Sequence, residues 1–253
     1  MSKEELASAL IGFIVLILWR YFYDISCFSV IFPLIVSFFI FISIYEFNKE
    51  RRKCKADCYF KENSFFYRWL TRKKITFILS LLASFILTLV LVSNIISFTT
   101  ADFFIFAGDI SILYILYDIL KRKNFLKEKV KSAILINTVS WINAIILSVL
   151  LFFITLYQTP PQYIRNDLLE TVNQAAENYS SLCGFIDTYL FFIETVQAVK
   201  WWGILKFSLI DFGYRIKEII WIIFLINNYL LAFAFGKYIL KIKNLSERIA
   251  NEK

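Results

Sequence analysis

Four carboxylates lie within otherwise apolar stretches of the chain, and their spacing suggests ion chemistry. Asp102 and Asp109 are seven residues apart, and Asp187 and Glu194 repeat that interval. Because a helix turns by about 100° per residue, seven residues bring a side chain back to within about 20° of the same face. Each pair therefore predicts an acidic stripe on one helix face, which could line a cation path or a water-filled cavity.

A plainer interpretation of these carboxylates is favoured over an ion path. An ionised Asp at the centre of a bilayer costs about 2.5–3.5 kcal/mol on insertion scales, so an embedded Asp usually has a partner. We expect Asp102 and Asp187 to lie in water at the outer ends of helices. Asp109, which follows Gly108 in an apolar run, is expected to bond an Asn or Ser of another helix.

Most enzyme chemistries lack their residues in this chain. It contains no His, which removes His-based acid–base catalysis, Ser–His and Cys–His nucleophile pairs and the commonest metal ligand. Six Gly leave little room for a phosphate-binding glycine loop. Cys54 and Cys58 are two thiols without further ligands, which cannot close a zinc site within one chain. We therefore predict a protein that is not an enzyme and holds no cofactor or metal.

The other two thiols, Cys27 and Cys183, both fall near the outer face of the topology predicted below. A disulfide between them is permitted in an oxidising compartment. The favoured expectation is nevertheless that both thiols are free.

The elements that must position these residues are helices that cross a bilayer. Residues 75–101 and 132–164 contain no charged side chain, and about twenty apolar residues suffice to span the hydrocarbon as a helix. Only 19% of the chain is charged, whereas a water-soluble domain carries about 25% charged residues. The sequence predicts an all-α, polytopic transmembrane helix bundle that forms one membrane domain over residues 1–253.

Six spans of alternating direction are preferred. Their predicted limits are 6–19, 25–45, 75–97, 102–120, 132–157 and 219–236. The first predicted span is followed by Tyr21, Phe22 and Tyr23, and aromatic residues at such positions are typical of a membrane interface.

Two basic connections fix the orientation of these spans. Residues 48–74 carry ten Lys and Arg against three acidic side chains, and residues 121–131 carry six against one. Lys and Arg near span ends resist translocation, so basic connections stay in the cytoplasm. We therefore place both connections and the N-terminus in the cytoplasm, with the protein integral to the inner (plasma) membrane.

The number of spans depends on the segment before the last predicted span. Residues 158–218 are expected to form an outer-side loop with amphipathic helices. Within them, residues 183–202 are apolar enough to touch lipid, but they also carry polar groups. These are Asp187, Glu194, Gln197 and Lys200. If this stretch lies flat, re-enters or caps the bundle, there are six spans; if it crosses, there are seven. Six are preferred, because four polar side chains are costly at the bilayer centre.

Two further patterns concern helix packing. Asparagines in the predicted spans are suited to hydrogen bonds between helices; they are Asn94, Asn137, Asn143, Asn227 and Asn228. Small residues four apart let helices approach closely; they occur at Ser8 and Gly12, Ser80 and Ser84, and Ala232 and Gly236. We expect a homo-oligomer on this basis.

The basic connections are the predicted docking surface. Their basic residues interleave with aromatic ones, which suits anionic lipid at about 1 kcal/mol per basic residue, or an acidic cytosolic protein. Nucleic acid is the less favoured partner. The candidate residues are Arg51, Arg52, Lys53, Lys55, Arg68, Arg72, Lys73, Lys74, Lys121, Arg122 and Lys123.

The function favoured by these patterns is that of a non-enzymatic integral membrane subunit. It would dock a cytosolic partner through the basic connections and use the bundle as anchor, sensor or pore. Small membrane proteins of bacterial phage-defence and toxin/immunity systems are of this general type. The alternative is a small cation-coupled transporter or ion channel that uses Asp109 and Glu194.

Overall fold

The helical architecture predicted from the sequence is confirmed. A computed structural model describes residues 3–61, 64–122, 132–157, 161–177, 181–209 and 214–251, and this part of the chain contains no strand. Its helices are α1 (Lys3–Phe22), α2 (Ile31–Tyr59), α3 (Phe65–Thr71), α4 (Lys73–Ile96), α5 (Thr100–Arg122), α6 (Ser132–Tyr157), α7 (Leu168–Glu177), α8 (Gly184–Leu209) and α9 (Tyr214–Asn251). One 3-10 turn, Cys27–Val30, leads into α2.

Six apolar helices correspond to the six predicted spans. Five of them, α2, α4, α5, α6 and α9, are long and apolar enough to cross a membrane, and α1 contributes a shorter apolar stretch. α8 is long enough, at 26 residues, but its described residues do not combine the same hydropathy with the same low number of charges. Two helices continue far past their predicted limits, α2 to Tyr59 and α9 to Asn251, because apolar patterning marks only the lipid-contacting part of a helix.

The bundle has two chemically different ends. At one end, Cys27 in the α1–α2 connection is bonded to Cys183, just before α8; we call this the disulfide end. At the other end, lysines of α9 pair with acidic residues of α2 and α5; we call this the basic end. The spanning helices run alternately between the two ends, as predicted.

The last helix, α9, forms the centre of the bundle, where it contacts every other spanning helix. Small residues allow the closest approaches. Tyr238 of α9 donates its hydroxyl to the carbonyl oxygen of Gly12, at 3.1 Å. A Cβ added at Gly236 would lie 3.4 Å from Ser140 of α6. These two predicted small-residue positions therefore serve packing within the chain.

Small polar side chains of α4 lie inside the bundle, whereas several of its large apolar side chains face outwards. On α4, the buried positions include Ser80, Ser84 and Thr88, whereas Leu81 and Phe85 are exposed. The Thr88 hydroxyl donates to the Ser84 carbonyl, 2.8 Å away, so it needs no water. Surrounding lipid produces this pattern. Burying an apolar side chain gains little when the surroundings are already apolar, whereas a polar side chain needs a hydrogen-bond partner inside the protein.

Much of the predicted connection over residues 48–74 is helical in the described part of the chain. α2 continues through it to Tyr59, and α3 follows with Ser64 as its N-cap, whose side chain accepts a hydrogen bond from the Tyr67 amide. The Tyr67 hydroxyl donates to Asp57 of α2, at 3.1 Å. The two helices thus form one ordered unit, which we call the basic projection.

Candidate ligand site at the disulfide end

A disulfide between Cys27 and Cys183 ties the segment before the last span to the first connection. The Cα atoms are 5.0 Å apart, so the expectation of two free thiols was wrong. Neighbouring backbone supports the link: Leu182 donates its amide to the Asp24 carbonyl, and the Ser181 hydroxyl donates to the Tyr23 carbonyl. The start of α8 is therefore fixed against the end of α1.

Beyond this anchor, α8 extends across the disulfide end of the bundle. The Tyr189 hydroxyl donates to the Leu89 carbonyl of α4, at 3.0 Å. Farther along, Trp201 makes an edge-to-face contact with Phe224 of α9. Because α8 and the residues just before it contact the α1–α2 connection, α4 and α9 in turn, the segment caps the bundle, which is one of the arrangements expected of the six-span topology.

A cavity of about 410 Å³ lies under this cap. Residues of α4, α5, α6, α8 and α9 and of the segment before α7 contribute to its wall. The polar side chains of the wall include Asn94, Asp102, Glu194, Gln197, Lys200, Asn227 and Asn228. Aromatic wall residues are Phe98, Tyr163, Trp201 and Phe224. This volume falls in the range of small-molecule sites, about 300–1,000 Å³.

Glu194 and Lys200 place opposite charges in this wall without pairing. Glu194 is only 4% exposed. Within the described residues, neither side chain makes a hydrogen bond or an ion pair. Lys200 instead lies with its Nζ 5.1 Å from the centre of the Phe224 ring. α8 lies outside the spanning helices, so both groups belong to the capping segment.

Burial moves the pKa values of Glu194 and Lys200 towards neutral pH. It raises the pKa of Glu194 to about 7, although the nearby Lys200 ammonium lowers it. It likewise lowers the pKa of Lys200 to about 8, which the Glu194 carboxylate opposes. The shared cause is loss of hydration of the charged form. Between these two values, both groups are charged together.

Three asparagines form an amide cluster in the same wall. Asn227 of α9 donates to the Oδ1 of Asn94 at 3.2 Å, and Asn94 donates to the Val90 carbonyl. The neighbouring Asn228 is 8% exposed, and its Nδ2 has no hydrogen-bond partner in the described part of the chain. A buried donor without a partner costs about 1–3 kcal/mol.

Asp102 and Asp187 act as caps at helix starts, which agrees with the plainer interpretation. The Asp102 carboxylate accepts from the amide and the hydroxyl of Thr99, at 2.8 and 2.7 Å. Asp187 is exposed and accepts from the Ser181 amide. Asp102 also reaches the cavity wall, whereas Asp187 does not. The predicted acidic stripes therefore do not form continuous paths.

Asp109 is buried between two helices, as the plainer interpretation expected. It is 3% exposed, and its Oδ2 accepts a hydrogen bond of 2.9 Å from Asn143 of α6. It does not line the cavity that contains Glu194. The structure thus does not bring together the two carboxylates that the transport alternative combined.

No protein-family model matches this chain, no curated protein matches it, and no solved structure matches it. Function must therefore be argued from the site and the surfaces themselves.

The basic end contains a network of ion pairs that sequence reasoning missed. Lys241 pairs with Glu46 of α2 at 2.7 Å, and Lys243 pairs with Asp118 of α5 at 2.9 Å. Glu247 pairs with Lys121, also at 2.9 Å. The signal available in the sequence was the group of lysines in the second half of α9, Lys237, Lys241 and Lys243.

The predicted docking residues are mostly exposed. Of those described, Arg51, Lys53, Lys55, Arg68, Arg72, Lys73, Lys74, Lys121 and Arg122 are exposed, and Arg52 is half-buried. Lys123 lies outside the described residues. Lys121 is committed to its pair with Glu247. The basic projection presents four of these nine exposed basic side chains, Arg51, Lys53, Lys55 and Arg68.

Proposed function

We propose that this protein is a non-enzymatic integral membrane protein that docks an acidic cytosolic protein through its basic projection. The observation that carries the proposal is the continuity of α2, which runs from the disulfide end to Tyr59. Thirteen residues separate Tyr59 from Glu46, the position of the last α2 ion pair to α9. At 1.5 Å per residue this is about 20 Å of helix beyond that pair.

The surface of the basic projection has the composition of a binding site. Arg51, Lys53 and Lys55 are exposed along α2. The exposed aromatic side chains near them are Tyr59, Phe65 and Phe66. Protein interfaces are enriched in aromatic residues and Arg, and the positive charge steers an acidic partner towards them.

The projection is held in shape by contacts that leave this surface free. Ala56 is fully buried under α3, and Phe60 stacks on Phe66. An ordered surface loses less conformational entropy on binding than a disordered loop would. This supports docking over a role as topology signal alone.

The orientation in this proposal has two independent supports. Lys and Arg at span ends resist translocation, which favours a cytoplasmic basic end. The disulfide between Cys27 and Cys183 lies at the opposite end, and disulfides persist in oxidising, extracytoplasmic compartments.

Cation transport through Asp109 and Glu194 has less support. Asp109 is satisfied by Asn143 and lies off the cavity that contains Glu194. We therefore retain docking as the proposed function.

The test is an affinity pull-down from detergent with three forms of the protein. In the first variant, Arg51, Lys53 and Lys55 are replaced by Gln. In the matched control, Arg72, Lys73 and Lys74 at the start of α4 are replaced by Gln, which removes the same charge at a different place. Docking by the projection predicts loss of an acidic co-purifying protein from the first variant and its retention in the control. Equal recovery from wild type and the first variant would refute the proposal, and equal loss from both variants would reduce it to non-specific charge attraction.

A further inference from the structure

We propose that the cavity at the disulfide end binds a small zwitterion, with the ligand ammonium at Glu194 and its anionic group at Lys200. This inference does not depend on the basic projection. It assigns a ligand site to the end of the bundle opposite the proposed docking surface.

The unpaired charges of the wall define the ligand class. Glu194 and Lys200 are six residues apart on α8, both line the cavity, and they do not form an ion pair with each other. A carboxylate and an ammonium held apart in one cavity can each bind the opposite group of a ligand placed between them. A plain cation would be repelled by Lys200, and a plain anion by Glu194 and Asp102. A zwitterion complements both.

The amide cluster adds polar groups to the same wall. Asn94, Asn227 and Asn228 line the cavity together with Glu194 and Lys200. The Nδ2 of Asn228 is itself buried and has no partner in the described part of the chain, so it offers a ligand no direct hydrogen bond. The two unpaired charges therefore carry the ligand assignment.

Size and aromatic lining favour a ligand as small as a free amino acid. The cavity of about 410 Å³ is near the lower end of ligand-site volumes. Trp201 and Tyr163 contribute flat apolar surface to its wall, which suits the carbon body of such a molecule. The same zwitterionic chemistry also occurs in the headgroup of phosphatidylethanolamine, so the test must distinguish a free solute from a lipid.

The first experiment measures ligand-induced thermal stabilisation of the full-length, disulfide-intact protein in lipid-free detergent. The probes are glycine and the other common L-amino acids, O-phosphoethanolamine as a soluble lipid headgroup, and an equimolar mixture of acetate and ethanolamine as separated charges. The buffer pH lies between the pKa values of Glu194 and Lys200. We expect at least one zwitterion to stabilise the protein and the mixture to have no effect. Stabilisation by an amino acid identifies a free solute, and stabilisation by phosphoethanolamine alone identifies a lipid headgroup. If no zwitterion exceeds the mixture, the proposal is overturned, and this outcome requires no variant to fold.

The second experiment tests the assigned residues by direct binding of the zwitterion found. Glu194→Gln and Lys200→Gln should each weaken its affinity about tenfold or more, since each removes a charge-assisted hydrogen bond. Glu170→Gln on α7 and Lys49→Gln on α2 are the matched controls, because both side chains are exposed and neither lines the cavity; both variants should bind like wild type. Unchanged affinity in both cavity variants would overturn the assignment. The Glu194 variant should still recover the acidic partner of the basic projection, so failure of one proposal is distinguishable from failure of the other.

Discussion

Cys27 and Cys183 are 156 residues apart in the chain, yet their disulfide closes the connection between the first two spans against the start of α8. This single bond decides where α8 begins. From there, the helix can reach both α4 and α9, and the cavity exists because it does so. The cavity and the disulfide are therefore parts of one structural unit.

The disulfide should be visible as a thiol count. Protein purified without reductant and unfolded in detergent should react with a polymer-tagged maleimide at two cysteines, Cys54 and Cys58, and at all four after reduction. Cys27→Ser should expose a third thiol. We also expect that variant to be less stable, towards the lower end of the about 2–5 kcal/mol typical of a native disulfide, because the membrane already confines the spans. Four reactive thiols before reduction would contradict the structure.

The hydrogen bond between Asn143 and Asp109 should behave as a packing interaction. Asp109→Asn keeps an acceptor oxygen and should change thermal stability little. Asp109→Leu removes it and should destabilise the protein by about 1–2 kcal/mol, the size of such bonds in membranes. Asn137→Leu on the same α6 replaces an Asn for which the structure shows no hydrogen bond, and serves as the control. Loss of stability in Asp109→Asn as large as in Asp109→Leu would argue for a role of the charge itself.

Two lysines of α9 should respond in opposite directions to the same substitution. Lys237 is 1% exposed, and its Nζ has no hydrogen-bond partner in the described part of the chain, only the faces of Phe47 and Phe233. Lys237→Met should therefore stabilise the protein by about 1–3 kcal/mol, since it removes a buried charge that lacks a counter-ion. Lys241→Met should destabilise it, because Glu46 loses its partner. Both are measured as unfolding midpoints in detergent; destabilisation by Lys237→Met would indicate an additional partner for that lysine.

The stability contribution of Glu194 should depend on pH. Its pKa is raised from 4.5 to about 7 in the folded protein by burial, so the native state binds the proton more tightly than the unfolded state. Stability from this group is present below about pH 4.5 and is lost as the pH rises through about 7. Glu194→Gln mimics the protonated form and should be more stable than wild type at pH 8, by up to about 3 kcal/mol, with no difference near pH 4.5.

The charged and titratable groups around Glu194 also influence the pH dependence of its contribution to stability. Lys200 of α8 and Tyr23, just after α1, interact with it electrostatically, and Asp102 of α5 lines the same cavity. Glu170→Gln provides the control for removal of a carboxylate elsewhere on this end. A stability difference between Glu194→Gln and wild type that stays constant with pH would show that Glu194 does not titrate in this range.

The local environments of several single residues could be predicted from the sequence, but their assembly around one cavity could not. The environments of Asp102, Asp109 and Asp187 follow from local rules, because a helix start needs a capping acceptor and an embedded carboxylate needs a donor. The meeting of Glu194 and Lys200 with Asn228 does not follow from such rules. Those side chains come from helices whose relative placement is set by packing over the whole bundle.

The sequence by itself determined that apolar helices of this chain lie in lipid, and therefore that it is a helical membrane protein. Long uncharged stretches can only be stable as helices in lipid, and that constraint acts on each segment separately, so the presence and approximate limits of the apolar helices were readable from composition. The tertiary structure decided which thiols pair, which charges remain unpaired and where a cavity is left. Those outcomes depend on contacts between residues more than a hundred positions apart, such as Lys241 with Glu46, and no local pattern encodes such distances.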